Sequence, residues 1–187
     1  MARPRHPFTL SAQQVDPLSW FTGPFVPLTL ATLVLVQGAI TIAATWTNAR
    51  HPELQPIALA LCVAAPLVVH WLTRPMRRTL GWVAASATLG LSVAGVGISA
   101  FAYGPATFPL EAWWAPIALG LAIVSLGPYL SGRALLSVGG AAIAITVVLS
   151  LQLVDGSLVW GHVATAVIVA AGPALCLAAM VTFSYGI

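Results

Sequence analysis

Read only for apolar and polar positions, the chain is a series of long hydrophobic runs separated by short polar breaks. A helix needs about 20 mostly apolar residues to cross a bilayer's hydrocarbon, because every backbone N–H and C=O must be satisfied inside the segment. Six stretches meet that demand: 27–46, 54–72, 80–101, 113–130, 134–154 and 160–183. The breaks have local causes. Residues 48–56 (NARHPELQP) carry charge and two prolines, and 103–111 (YGPATFPLE) combine Gly/Pro punctuation with an acid. Residues 130–133 and 154–159 are tight polar connections, so neighbouring spans are expected to run antiparallel. The pattern predicts an all-α, polytopic transmembrane bundle of six spans. A cytoplasmic N-terminal segment, 1–23, precedes a single transmembrane domain, 24–187. The first apolar run exceeds the 7 to 15 residues of a signal-peptide core and is read as a retained span.

Composition adds the reason. With 59% hydrophobic and 6% charged residues, against about 25% charged in an average soluble domain, the chain cannot cover a globule with polar side chains, so its solvent is lipid. Apolar runs are spread evenly, which gives no composition shift at which to divide a second domain.

Charge then supplies direction. The chain has seven Lys+Arg residues, all arginine. Arg3 and Arg5, the cluster Arg74, Arg77 and Arg78, and Arg133 fall on one side of the predicted spans, and Arg50 stands alone on the other. A six-to-one bias in short loops is a positive-inside signal, placing both termini in the cytoplasm of a multi-pass cell-membrane protein. Arg74, Arg77 and Arg78 are thus topology-determining. As a lipid-headgroup patch they fall short of the four to eight cations usual for that role. The net charge of +3 does not imply a nucleic-acid partner, since the cations sit between hydrophobic spans rather than on a face with readers. Trp46, Trp113, Trp114 and Trp160 are expected at the outer ends, with Trp71 and Trp82 at the inner ends, at headgroup depth.

Apolar faces gain little by meeting one another in lipid, so contact depends on small residues. Ala166, Ala170, Ala174 and Ala178 in the sixth span, and Ser86, Gly90 and Ala94 in the third, offer such ridges. Pro66, Pro116, Pro128 and Pro173 lie within or near span interiors, where a missing donor kinks a helix.

Candidate chemistry is sparse along the chain. No charged residue lies deep in a span, which counts against a proton pump or an ion-coupled exchanger. Gln37, with Thr41 one turn on, is the most deeply placed strongly polar side chain and is expected to hold a neighbouring helix. Cys62 and Cys176 fall inside apolar runs with no CxxC spacing and are expected to pack. His70 and His162 would sit at opposite ends of their spans, too far apart for paired haem ligation. The string YLSG at 129–132 lacks the first glycine of an intramembrane-protease nucleophile motif, and Ser131 lies away from His162. No catalytic centre, cofactor or metal is expected. One cluster survives: His51 and Glu53 in the first loop, Glu111 in the third, Asp155 in the fifth, and His162. Converging, they would form an outer-face cation or pH site. The charge bias alone also gathers acids there.

The start DPLSWFTGPF, the Ala/Val/Leu-rich six-span layout with tryptophan belts, and the HWLTRPMRR exit from the second span resemble the N-terminal membrane regions of actinobacterial sensor histidine kinases. The resemblance implies an input module with no catalysis of its own, coupled to a cytoplasmic kinase domain. The chain has neither phosphoacceptor helix nor ATP lid, so the resemblance further implies a truncated or split signalling subunit. The layout is also similar to substrate-binding membrane subunits of energy-coupling-factor transporters, which take small vitamin-type solutes and meet a partner subunit through AxxxA spacing; Ala39 and Ala43 match that spacing.

Overall fold

Prolines open three of the helices. Pro27, Pro56 and Pro116 stand in the first turns of α1 (Val26–Thr45), α2 (Gln55–Leu72) and α4 (Ala115–Leu126), where a fixed φ suits the helix and the missing N–H has no partner to lose. The other helices are α3 (Trp82–Tyr103), α5 (Gly132–Leu151) and α6 (Val159–Tyr185). The computed structural model describes residues 25–73, 80–103, 113–151 and 159–185, and no strand occurs among them. Arg74, Arg77 and Arg78, Glu111, Asp155 and the segment 1–24 lie outside the described residues.

Five helices are long and apolar enough to cross a membrane: α1, α2, α3, α5 and α6. Their free faces carry large apolar side chains such as Leu33, Val36, Ile40, Val83 and Leu175, a surface that only lipid can solvate in a multi-pass membrane protein. The fourth expected span is different. Its α-helix has 12 residues, and Gly127–Tyr129 continues it as a 3-10 turn. Pro116 limits it at one end and the Gly127-Pro128 pair at the other, so these prolines bound a helix, whereas Pro66 and Pro173 lie inside α2 and α6. This short helix is the hub: it touches α1, α2, α3, α5 and α6, and only Ile117 is exposed along it.

Small residues set the close approaches, but not the ones expected. The most extensive seam joins α2 to α3, through Ala58, Cys62 and Ala65 on one side and Ser92, Gly95 and Ser99 on the other. A β-carbon added at Gly95 would lie 2.6 Å from Cys62 Sγ and 2.8 Å from the Ala58 carbonyl oxygen. Gly90 and Ala94 are exposed instead. On α6 the packed row is Thr165, Val169, Pro173, Leu177 and Met180, while Ala174 and Ala178 face outward. Gly120 of α4 meets Pro173 and Cys176, Gly139 of α5 meets Leu177, and Gly38 of α1 meets Leu59 and Trp114. Both cysteines are free and both pack; Cys62 donates weakly to the Ser92 carbonyl oxygen at 3.8 Å.

Candidate functional site

Three buried polar side chains, Thr45, Gln55 and Ser99, lie at one end of the bundle, beneath the α1–α2 connection. That connection is a 3-10 turn at Trp46–Asn48, an extended Ala49, and a second 3-10 turn at Pro52–Leu54 that runs into α2. It is fastened to α3. His51 N–H donates to the Ala102 carbonyl oxygen at 2.9 Å, and its ring stacks on Phe101 with centroids 5.8 Å apart and planes 2° from parallel. His51 Nδ1 lies 3.3 Å from Glu53 Oε1, with side chains 40% and 67% exposed.

Two buried links lie below this rim. Tyr103 and Thr45 join α3 to α1, their hydroxyl oxygens 2.6 Å apart. The Thr45 proton is committed to the Thr41 carbonyl oxygen at 2.8 Å, and a hydroxyl has one proton, so Tyr103 is the donor. The second link centres on Ser99. Its hydroxyl donates to Gln55 Oε1 at 3.0 Å and accepts from Trp113 Nε1 at 3.2 Å, while Gln55 Nε2 donates to the Ser99 carbonyl oxygen at 3.2 Å. The first residue of α2, the last full turn of α3 and the approach to α4 are thereby tied together. In a site shielded from water each such group needs its partner, and these valences are spent on one another. Among the described residues at this end, the solvent-facing ionisable groups include His51, Glu53 and the adjacent Arg50.

Of the five residues expected to form an outer-face site, the structure brings together His51 and Glu53. His162 is half-buried in the first turn of α6, and no cluster of three or more His, Cys, Asp or Glu side chains suited to a metal occurs among the described residues. Gln37 is half-exposed, and Gln55, 1% exposed, is the buried glutamine. Gln55 stands where the charged break 48–56 overlaps the predicted span 54–72. The signal was present: Pro56 marks a first helical turn, which puts Gln55 in the helix and in register with Ala58 and Cys62. Trp113 and Trp114 do not belong to an interfacial belt; they are 5% and 1% exposed, the first donating to Ser99 and the second packed on Gly38. Trp46, Trp71 and Trp82 are exposed at helix ends, as an interfacial belt requires.

No known protein family, curated protein or solved structure matches the chain.

Proposed function

We propose that this membrane protein is the input module of a bacterial signalling system, with six spans, both termini in the cytoplasm, and no catalysis of its own. The observation that carries the reading is the fastening of an exposed His/Glu pair to the end of a spanning helix, through the His51 to Ala102 hydrogen bond and the Phe101 stack. Histidine is the side chain whose ordinary titration falls between about pH 5 and 8. A proton or cation taken up by His51 and Glu53 acts on α3 directly, and through Gln55 and Ser99 on α2. That is the mechanical requirement of an input module: a local change of charge biasing the relation between helices. Its output would go to a cytoplasmic kinase domain.

The second reading, a membrane subunit that binds a small vitamin-type solute, is favoured by one observation: Ala39 and Ala43 are exposed on α1, where a partner subunit could pack. A thermal-shift screen of the purified chain against divalent cations and vitamins, repeated across pH, separates the two. A ligand at about 100 times its Kd stabilises by ~2.7 kcal/mol. The input-module reading expects a response to pH or to a cation, abolished in His51→Gln and in Glu53→Gln. A vitamin response that both variants retain supports the solute-binding reading.

The orientation has its own test. Glu53→Cys is expected to react with a membrane-impermeant maleimide added to intact cells and Arg77→Cys only after lysis, with buried Cys62 silent. Labelling of Arg77→Cys from outside reverses the assignment.

A further inference from the structure

A groove of about 230 Å³ runs along the outside of the bundle between α3 and α5. Trp82, Ser86 and Gly90 line one side; Ser137, Ala141 and Ile145 line the other. The two helices run parallel, and the groove exists because Gly90 and Ala141 remove bulk where larger residues would close it. Nothing lies within 4 Å of a β-carbon added at Gly90, whereas at Gly97, two turns further on, Leu149 Cδ1 stands at 3.5 Å. Both helices are long and apolar enough to cross the membrane, so what fills a lateral groove between them is hydrocarbon.

We infer that this groove holds one acyl chain of an anionic phospholipid, whose phosphate is met by Arg133. Arg133 is exposed, one turn before Ser137 on the same row of α5, and the Ser137 hydroxyl donates to its carbonyl oxygen at 3.0 Å. Helical side chains lean toward the helix N-terminus, which carries the guanidinium past the end of the groove to the polar boundary. Trp82, 56% exposed at the start of α3, marks that boundary. The guanidinium is an exposed cation at headgroup depth, where anionic phosphates concentrate. Glu53, the one acid among the described residues, is paired with His51 at the opposite end of α3. A planar fork of donors suits a phosphate, and an apolar trough leading away from it suits the chain of the same molecule. With both termini in the cytoplasm the lipid belongs to the cytoplasmic leaflet. The binding geometry stands independently of the signalling reading, needing only that α3 and α5 span the bilayer.

The test is lipid titration of the purified full-length chain by native mass spectrometry, using phosphatidylglycerol and phosphatidylcholine of identical chains. Wild type is expected to favour phosphatidylglycerol by about five-fold, the effect of one near-surface cation. Arg133→Gln is expected to weaken both lipids, phosphatidylglycerol the more because its phosphate has no cation of its own headgroup beside it, and so to bring the two to parity. Gly90→Leu, which meets open space and keeps the fold, is expected to remove both lipids by filling the trough. Equal phosphatidylglycerol preference in wild type and Arg133→Gln overturns the inference, and so does wild-type occupancy in Gly90→Leu. A chain dimer that Gly90→Leu disrupts, with lipid binding intact, also overturns it, by assigning the groove to a second copy.

Discussion

Gly95→Leu is expected to abolish the native bundle, and Gly95→Ala to lower its stability by about 3 kcal/mol, the upper part of the range for overpacking a close-packed interior. The reason is what stands opposite. An added β-carbon meets Cys62 Sγ at 2.6 Å and the Ala58 carbonyl oxygen at 2.8 Å. A side chain can turn away, but the backbone oxygen moves only if α2 moves. The seam is the largest between the described helices, and separating it also strains the His51 to Ala102 and Gln55 to Ser99 links. Gly90→Ala, Gly140→Ala and Gly172→Ala are the controls, because nothing lies within 4 Å of their added carbons. They are expected to melt at or above wild type, since alanine is the better helix former. Combining Gly95→Ala with Cys62→Ala removes one of the two obstacles and should restore part of the loss. Thermal melting in one detergent, read by circular dichroism, ranks the series. A Gly95→Ala protein as stable as Gly90→Ala would show that α2 and α3 do not approach as closely as described.

That contrast shows where sequence reasoning stops. Helix ends were legible because prolines, glycines and polar breaks act locally. The span expected at 27–46 is Val26–Thr45, that at 54–72 is Gln55–Leu72, and that at 80–101 is Trp82–Tyr103. The packed faces were not legible. Each helix is apolar nearly all round, so no moment distinguishes the face that meets protein from the face that meets lipid. Ser86, Gly90 and Ala94 form as regular a small-residue ridge as Ser92, Gly95 and Ser99, yet the second packs tightly on α2 while Ser86 and Gly90 border an open groove toward α5. The fourth element shows the same limit. Residues 113–130 read as one span, but the two tryptophans and the Gly127-Pro128 turn flank a short helix enclosed by five others. Hydropathy counts apolar residues and does not report whether lipid or protein surrounds them. Of the candidate site, His51 and Glu53 were found because they are adjacent in sequence. Thr45 with Tyr103, and Gln55 with Ser99 and Trp113, were not, since their pairing depends on helix register rather than spacing.

Ser99→Ala is expected to cost about 2 kcal/mol, more than any other single hydroxyl removal at this end of the bundle. Hydrogen bonds between membrane helices average only about 0.6 kcal/mol, with a maximum near 1.7, so the deletion of one bond would not reach that figure. Here one hydroxyl serves two buried partners. Its loss takes the hydroxyl donor from Gln55 Oε1 and the hydroxyl acceptor from Trp113 Nε1, while Gln55 Nε2 keeps the backbone carbonyl at position 99. Each stranded buried group costs about 1–3 kcal/mol, partly relieved where water reaches the end of the bundle. Tyr103→Phe is the comparison that isolates this effect. It also breaks an interhelical bond, but Thr45 still donates to the Thr41 carbonyl oxygen and is not stranded, so the loss of this bond should be near 0.6 kcal/mol. In a Gln55→Leu background, Ser99→Ala strands only the indole and should cost about 1 kcal/mol less than in wild type, a coupling within the range for contacting residues. Equal losses for Ser99→Ala and Tyr103→Phe, or additive losses for Gln55→Leu and Ser99→Ala, would mean that Ser99 is not the shared partner binding α2, α3 and the approach to α4.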